Sequence, residues 1–308
     1  MRNGIKKNKK AQMFTLIAIL LLSLLLISFE VYSMVNQRES IQTRISSMNN
    51  YLFSVEKNLQ RQMYISGFRI IFLAEDQITK TGDYIDVNSF FNEAFFNGTV
   101  AGTPNSIMVG ATYNDLINSI NQKAEKINVN VVMINPSLVI SQDDPWNIKL
   151  TLVSNFVIED KSNLARWEKQ QITSEYIPIE KFEDPLFIVN TNAKILRKIN
   201  RTIYQGIYAE NTSVINLLDH LNKGYYAANP SAPSFLKRLA GNFSPDSNGI
   251  ESFVNIPQLS QQGVPTPDKS CVDYIYFSGI SPEYQAVSGM PEWFRLDTNH
   301  LAFYNVSG

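Results

Sequence analysis

The chain has 308 residues, of which 44% are hydrophobic and 18% charged, so it can bury a substantial core and is neither disordered nor wholly membrane-embedded. The formal net charge of −1 conceals an asymmetry, because five of the 27 basic residues lie in the first ten positions, where there is no acid. The remaining chain has 22 basic and 28 acidic groups, a net charge of −6. This argues against nucleic acid as a partner, since phosphate binding needs clustered lysine and arginine.

An apolar segment follows the basic residues and predicts a membrane-spanning helix. Residues 13–29 contain no charge, and apolar residues resume after Glu30, from Val31 to Val35. The 17 residues of the uncharged run rise about 26 Å along a helix, close to a hydrocarbon core of about 30 Å. A buried helix of a soluble protein is disfavoured, because no face of the segment is polar. The preceding cations predict a cytoplasmic N-terminus and an extracellular body.

Three fates remain open for this segment. A cleaved secretory signal peptide would be cut near Ser33, but its apolar region is longer than usual, and Glu30 and Tyr32 crowd the site. A plain signal anchor would stay uncut. A prepilin-type leader would be cut on the cytoplasmic side, before the apolar residues, so that the helix is retained.

The following residues predict that the helix continues as an amphipathic segment. Its apolar residues alternate between spacings of four and three, a helical stripe with a period near 3.5. The stripe consists of Ile41, Ile45, Met48, Leu52, Val55 and Leu59. A helix over residues 14–79 would be on the order of 100 Å long. We expect Ile45, Leu52 and Leu59 to pack against a sheet or a neighbouring helix; a membrane-proximal stalk or coiled-coil dimer is the alternative.

The junction between the basic and apolar residues resembles the class III leader of archaeal type IV pilin-like proteins. Lys9, Lys10 and Ala11 precede Gln12, and in that family a basic pair and a small residue precede the cut and glutamine begins the mature chain. The resemblance implies cleavage after Ala11 by a prepilin-type peptidase and a retained helix that begins at Gln12. It also implies other pilin-like subunits as partners.

Residues 14–17 are also similar to the start of bacterial pilin helices. At the next position those helices have a glutamate that pairs with the N-terminus of a neighbouring subunit, whereas this chain has Ala18. The chain is therefore either a filament subunit or a pilin-like protein that stays anchored without polymerising.

The middle of the chain has the pattern of a helix followed by a three-stranded sheet. Thr112 and Asp115 have the spacing of a capping box and predict a helix with an apolar inner face. Strands are expected at residues 129–140, 146–158 and 167–177, with polar turns between them. Short connections favour an antiparallel meander, and the amphipathic part of the N-terminal helix would cover one face of it.

The last third of the chain has a mixed pattern. A short helix is expected to end at Gly224, with Asn211 or Thr212 as its N-cap. Residues 272–277 are expected to form a buried strand. Residues 192–204 are compatible with a strand or a helix.

Together these patterns predict an α+β fold in which a long N-terminal helix packs on an antiparallel meander, with a mixed C-terminal elaboration. The expected parts are a cytoplasmic basic leader (1–11), a transmembrane helix (12–35), an amphipathic packing helix (36–80), a pilin-like extracellular domain (81–184) and a C-terminal extracellular subdomain (185–308).

The sequence offers little catalytic chemistry. Asp297 and His300 have the spacing of a carboxylate and an imidazole on one helical turn, as a general base requires, but a helix cap and a surface histidine are the favoured interpretation. The other histidine is His220, and the lone Cys271 is expected to pack as a small hydrophobic side chain. Residues 246–251 look like a shortened calcium loop, and a polar turn is favoured. No enzyme activity, metal or cofactor is predicted.

Two functions follow from these patterns. The first is a membrane-anchored, pilin-like extracellular protein of structural or adhesive role, with a filament subunit as one form of it and the lipid bilayer as its first partner. The alternative is a single-pass anchored domain that binds an extracellular ligand or partner without polymerising. An extracellular body would allow glycosylation at five Asn-X-Ser/Thr sequons, about the number expected by chance, at Asn97, Asn200, Asn211, Asn242 and Asn305.

Overall fold

One continuous helix forms the N-terminal part of the chain. The structure, a computed structural model, describes residues 9–162, 165–210 and 213–308. Helix α1, Lys9–Thr81, has 73 residues, which corresponds to a length of about 110 Å. It ends where Gly82 adopts a left-handed backbone conformation (φ 74°) and donates its N–H to the carbonyl of Ile78 at 2.8 Å. The prediction of a long N-terminal helix is confirmed.

The main sheet is a three-stranded antiparallel meander, and its strands lie side by side in chain order. Two short strands precede it in the chain and are described below. The strands are β3 (Val129–Asp144), β4 (Asn147–Asp160) and β5 (Arg166–Pro178). The Asp144 carboxylate accepts a hydrogen bond from the backbone N–H of Trp146 at 2.8 Å and so fixes the first turn. The predicted α+β meander is therefore confirmed, with strands slightly longer than expected.

The C-terminal half of α1 packs on the inner face of this sheet. Leu59, Met63 and Ile70 of α1 are fully buried, as are Ile148, Leu150 and Leu152 of β4. Gly67 lies where the two layers are closest, because a Cβ atom there would be 2.6 Å from Cδ1 of Leu150 and 2.7 Å from Cδ1 of Ile177. The residue that locally weakens the helix thus permits close contact with the sheet.

A small segment connects α1 to the sheet. It contains α2 (Val87–Asn92), a π-helical turn (Glu93–Asn97), a β1–β2 pair (Thr99–Val100 and Thr103–Pro104), a 3₁₀ turn (Ser106–Met108) and α3 (Tyr113–Glu125). Thr112 and Asp115 form both hydrogen bonds of a capping box at the start of α3. Helix α3 runs antiparallel to α1, since Ser66 Oγ donates to the carbonyl of Ala111 and Tyr51 Oη donates to that of Ile120.

The chain after residue 184 folds into short elements. They are α4 (Pro185–Asn190), α5 (Ile215–Lys223), β6 (Ala227–Ala228), α6 (Phe235–Leu239), β7 (Ile250–Glu251), α7 (Ile256–Gln261), α8 (Asp273–Phe277), β8 (Tyr284–Ala286), β9 (Arg295–Asp297) and α9 (Thr298–Phe303). Helix α5 ends at Gly224 in the left-handed conformation, as expected. The predicted caps Asn211 and Thr212 lie outside the described residues.

Two segments of this region have structures that their sequence patterns do not specify. The expected strand at 272–277 is wrong, because residues 273–277 form α8; a short apolar run has no periodicity that separates a strand from a buried helical turn. Residues 192–204 contain no helix or ladder strand. Their backbone instead makes isolated bridges from Lys198 to Glu183 and from Arg201 to Tyr226.

The C-terminal region has its own apolar cluster and also contacts the main core. The second cluster includes Leu217, Phe253, Phe294 and Tyr304. Side chains from beyond residue 184 also belong to the cluster that α1 and the sheet form, namely Ile188, Ile199, Tyr226, Phe235, Leu239 and Ile250. The region beginning at residue 185 therefore packs directly on the rest of the body.

Candidate anchoring and interaction surfaces

The first part of α1 extends away from the body as an apolar arm, residues 13–35. Its large apolar side chains are all exposed, from 47% for Ile17 to 79% for Phe14. Among the described residues, α1 is the one helix long and apolar enough to cross a membrane. The arm rises about 34 Å, which matches a hydrocarbon core. Because exposing this much apolar surface to water is unfavourable, the arm requires lipid or protein around it.

The residues proposed for leader processing lie at the start of the arm. Lys9, Lys10 and Ala11 are in the first turn of α1, and Gln12 is exposed on the same continuous helix. The preceding basic residues of the leader lie outside the described part of the chain. Ala18 is within the arm, about one and two-thirds turns beyond Gln12.

A short polar segment of α1, residues 36–43, separates the arm from the body. Among the described residues, Arg44 makes the first polar contacts between α1 and the body: its Nη1 donates to the carbonyl of Ile127 at 3.1 Å, and its Nε lies 3.7 Å from Oδ1 of Asp160. The amphipathic stripe, which begins at Ile41, passes here from exposed to buried residues. Ile45 is 46% exposed, Leu52 is half-buried against the core, and Leu59 is 1% exposed. Packing thus increases along the helix away from the arm.

A shallow apolar groove lies between α1 and the edge strand β5. Leu52 and Phe53 of α1 form one wall, and Trp167 of β5 forms the other. Phe53 is 66% exposed and Trp167 42% exposed, although both are large and apolar. Glu56 and Lys169 approach across the groove, with 3.5 Å between Oε1 and Nζ. An exposed apolar groove beside a strand edge is suited to binding another polypeptide.

A buried ion cluster connects three short helices of the C-terminal region. Nη1 of Arg238 lies 2.6 Å from Oδ2 of Asp184 and 2.9 Å from Oδ2 of Asp273, and all three side chains are fully buried. Tyr226 donates its hydroxyl to Asp184 at 2.8 Å. Burial lowers the pKa of Arg238, but the two carboxylates more than compensate and hold it above its ordinary value. Arg238 is therefore a permanently charged centre that fixes α4, α6 and α8.

A second cluster surrounds His300, which is 3% exposed. The interpretation of His300 as a surface histidine is therefore wrong, whereas Asp297 does cap α9 by accepting the N–H of His300. The His300 ring lies between two carboxylates, with Nδ1 2.8 Å from Asp297 and Nε2 3.0 Å from Oε2 of Glu251. Tyr304 donates its hydroxyl to the other oxygen of Glu251 at 2.6 Å.

These contacts argue against His300 as a general base. Burial alone would lower the pKa of His300, but the hydrogen bonds to Asp297 and Glu251 raise it to about 10. The ring is then an imidazolium with both nitrogens bonded, so it has no lone pair with which to accept a proton. We interpret the cluster as a structural connection between β7 and α9.

The remaining candidate residues are either buried or paired with a neighbouring side chain. His220 is fully buried among aromatic rings, and burial lowers its pKa to about 3. Cys271 is fully buried, and burial raises the pKa of its thiol to about 12, so it packs as a hydrophobic side chain. Asp246 accepts the N–H of Asn248 and lies 3.3 Å from the Lys237 ammonium, in a polar turn. Within the described residues, no three His, Cys, Asp or Glu side chains are grouped to hold a metal ion.

Sequence patterns gave little indication of the buried ion clusters. The partners are far apart in sequence, 54 residues for Arg238 and Asp184 and 49 residues for His300 and Glu251. The spacing of Asp297 and His300 was the single local signal. The sequons, in contrast, lie at the surface: the described ones are all exposed, at Asn97, Asn200, Asn242 and Asn305, whereas Asn211 lies outside the described residues.

Comparisons of the chain with protein-family models, with curated proteins and with solved structures found no match.

Proposed function

We propose that the protein is a membrane-anchored, pilin-like surface protein. Its apolar arm spans the bilayer with the N-terminus in the cytoplasm, and its body lies outside the cell in a structural or adhesive role. Cleavage after Ala11 by a prepilin-type peptidase would leave Gln12 at the head of the retained helix. Other copies or related pilin-like subunits would then contact the arm.

The observation that supports this proposal most directly is the division of α1 into two halves. The arm has exposed apolar side chains on every face, whereas the second half buries Leu59, Met63 and Ile70 against the meander. A cleaved signal peptide does not need to be continuous with the core helix of the mature domain. Removal of residues 1–11 would delete all five N-terminal cations and leave a segment that is apolar from Met13 onward. The free energy needed to move such a segment from lipid into contact with other helices is lower than that for a segment that still carries the cations.

A second function is favoured by the groove between α1 and β5. An anchored protein that binds a partner without polymerising would use the exposed Phe53 and Trp167. Ala18 also fits this alternative, because it provides no carboxylate to pair with the N-terminus of a neighbouring subunit.

Mass spectrometry of the mature N-terminus tests the proposal. We expect the chain to begin at Gln12, and we expect Lys10→Glu or Ala11→Leu to block the cut while insertion continues, since at least four basic side chains still precede the arm. Lys6→Gln serves as the matched control, because it removes a cation away from the cut and should leave processing unchanged. A chain that begins just after Ser33 would identify a secreted protein and contradict the proposal. An uncut chain would support the anchored alternative.

A further inference from the structure

The end of the body that faces the arm is built from two turns. One joins α3 to β3 at residues 126–128, and the other joins β4 to β5 and begins at Lys161. They are bonded to each other, since the N–H of Lys161 donates to the carbonyl of Asn128 at 3.0 Å. They are also bonded to the start of the packed helix through Arg44 and the carbonyl of Ile127. Both turns therefore lie beside the point where α1 leaves the body.

Helix geometry places these turns close to the level of a bilayer surface. Arg44 is nine positions beyond Val35, a rise of about 14 Å, and the headgroup layer of one leaflet is about 5–7 Å thick. Helical side chains point toward the helix N-terminus, so Arg44 reaches Ile127 in the direction of the arm. The turns are consequently nearer to the arm than the backbone of Arg44 is. Long lysine side chains can cover the remaining distance.

The charges at this end are distinct from those of the body. Two basic residues are paired with acids, Arg44 with Asp160 and Arg166 with Glu159 and Glu168. Four further cations, here called the basic end, are exposed and have no carboxylate within ion-pair distance among the described residues: Arg38, Lys123, Lys126 and Lys161. The unpaired acids near them are Glu39 and Glu125. With the paired residues included, this end has six basic and five acidic side chains, a net charge of +1, whereas the chain after residue 10 has a net charge of −6.

We propose that the basic end binds the phosphate headgroups of anionic lipids in the leaflet from which the arm emerges. This inference depends on the proposed insertion of the arm into a membrane. Each lysine or arginine near an anionic surface is attracted to it, and the attraction is screened by salt. The contact would hold the body against the bilayer, whereas the acidic remainder of the body would be repelled by the same surface.

Fluorescence quenching in vesicles that contain the full chain tests this contact. Ser162→Cys places an environment-sensitive label in the exposed β4–β5 turn, and the native Cys271 is fully buried and does not compete for it. The chain is reconstituted in phosphatidylcholine vesicles with and without phosphatidylglycerol, each containing the same amount of a lipid with a nitroxide on its headgroup. We expect stronger quenching in the anionic vesicles, and we expect this difference to decrease at high salt.

Two charge variants make the test specific. Replacement of Lys123, Lys126 and Lys161 by glutamine should abolish the difference between the two vesicles. The matched control replaces three exposed lysines outside the basic end by glutamine, Lys181, Lys194 and Lys223, and should retain the difference.

Two results would overturn the headgroup contact. Equal quenching in both vesicles, or a difference that persists in the triple variant of the basic end, overturns it while the anchoring remains intact. Flotation of the vesicles measures anchoring independently. A chain that floats with neither vesicle would overturn the anchoring and the headgroup contact together.

Discussion

The two halves of the body are stabilised in different ways. Around α1 and the meander, the buried side chains are almost all apolar, and Glu75 and Asp160 are the buried charged residues described there. After residue 183 the described buried residues include seven Asp, Glu, His and Arg side chains: Asp184, His220, Arg238, Glu251, Asp273, Asp297 and His300. The described helices and strands of this region have nine residues or fewer. Elements this short cannot be stable alone, so specific polar contacts fix where they lie.

The helix and sheet depend on apolar packing, whereas the C-terminal region depends on buried ion clusters. A long helix and a meander bury apolar stripes, and such packing tolerates moderate changes of shape. An ion cluster tolerates substitution less well, because removing one partner leaves the other charged groups buried without a counter-ion. The C-terminal region should therefore respond to single charge changes far more strongly than the helix and sheet do.

The largest effect is expected for Arg238→Met. The variant leaves Asp184 and Asp273 buried without their cation, and breaking a buried ion pair in this way costs about 3–5 kcal/mol. Burial already raises the pKa of Asp273 to about 6 with Arg238 present, so these carboxylates are poorly accommodated as anions. Chemical unfolding of the full chain in detergent micelles would measure the loss, and hydrogen exchange would locate it.

Lys237→Gln is the matched control for Arg238→Met. It removes the neighbouring cation, whose partner Asp246 is only partly buried, and exposed pairs contribute about 0–1 kcal/mol. If the two variants unfold at the same denaturant concentration, the ion cluster does not stabilise the region. If Arg238→Met reduces exchange protection equally in α1 and in the C-terminal region, the two halves do not differ in the proposed way.

A somewhat smaller effect is expected in the helix and sheet. Leu59 is 1% exposed, and Leu59→Ala should cost about 2–5 kcal/mol because it removes buried methyl groups and leaves a cavity. Ile45 is on the same stripe but is 46% exposed, so Ile45→Ala should change the free energy of unfolding by less than about 1 kcal/mol. Equal losses for the two variants would show that the stripe packs uniformly and that its end nearest the arm is covered by another element.

The sequence predicted the first half of the fold well because its information is local. Period 3.5 in the stripe, alternation in β4 and the capping box of Thr112 and Asp115 are each visible within a few residues. The arm is visible in the same way, because residues 13–29 contain no charge. Ile45 differed from Leu59 because periodicity gives the face of a helix but not where along the helix the body begins.

The second half could not be predicted in this way. Arg238 looks like an ordinary basic residue of a short helix, and its partners Asp184 and Asp273 are distant in sequence. The spacing of Asp297 and His300 predicts a helix cap but not the burial of the ring, because Glu251, which lies 3.0 Å from Nε2 of His300, is 49 residues away in sequence. Residues 273–277 form α8 rather than a strand because tertiary contacts, not local periodicity, determine the structure of short apolar runs.

The two histidines provide the most sensitive test of the buried clusters. Burial lowers the pKa of His220 to about 3, and carboxylate partners, acting against burial, raise that of His300 to about 10. In a folded chain neither ring should therefore titrate between about pH 5 and pH 8, where an unperturbed histidine titrates. Since these are the two histidines of the chain, their ring proton shifts can be followed directly by NMR.

The same pKa shifts predict opposite effects on stability. The folded state keeps a proton on His300 that the unfolded state releases above pH 6.5, so its stabilising contribution is present below that pH and is lost as the pH rises toward 10. His220 has the opposite effect on stability, because below pH 6.5 its ring is protonated in the unfolded state but not in the folded state. Stability is therefore lost as the pH falls from 6.5 toward 3. Each slope is at most about 1.4 kcal/mol per pH unit. His300→Gln should remove the alkaline slope between pH 7 and 9 (about 1.4 kcal/mol per unit at most), whereas His220→Gln should leave it intact. An imidazole of His300 that titrates near pH 6.5 would contradict the paired-carboxylate cluster and would make the ring available as a base once more.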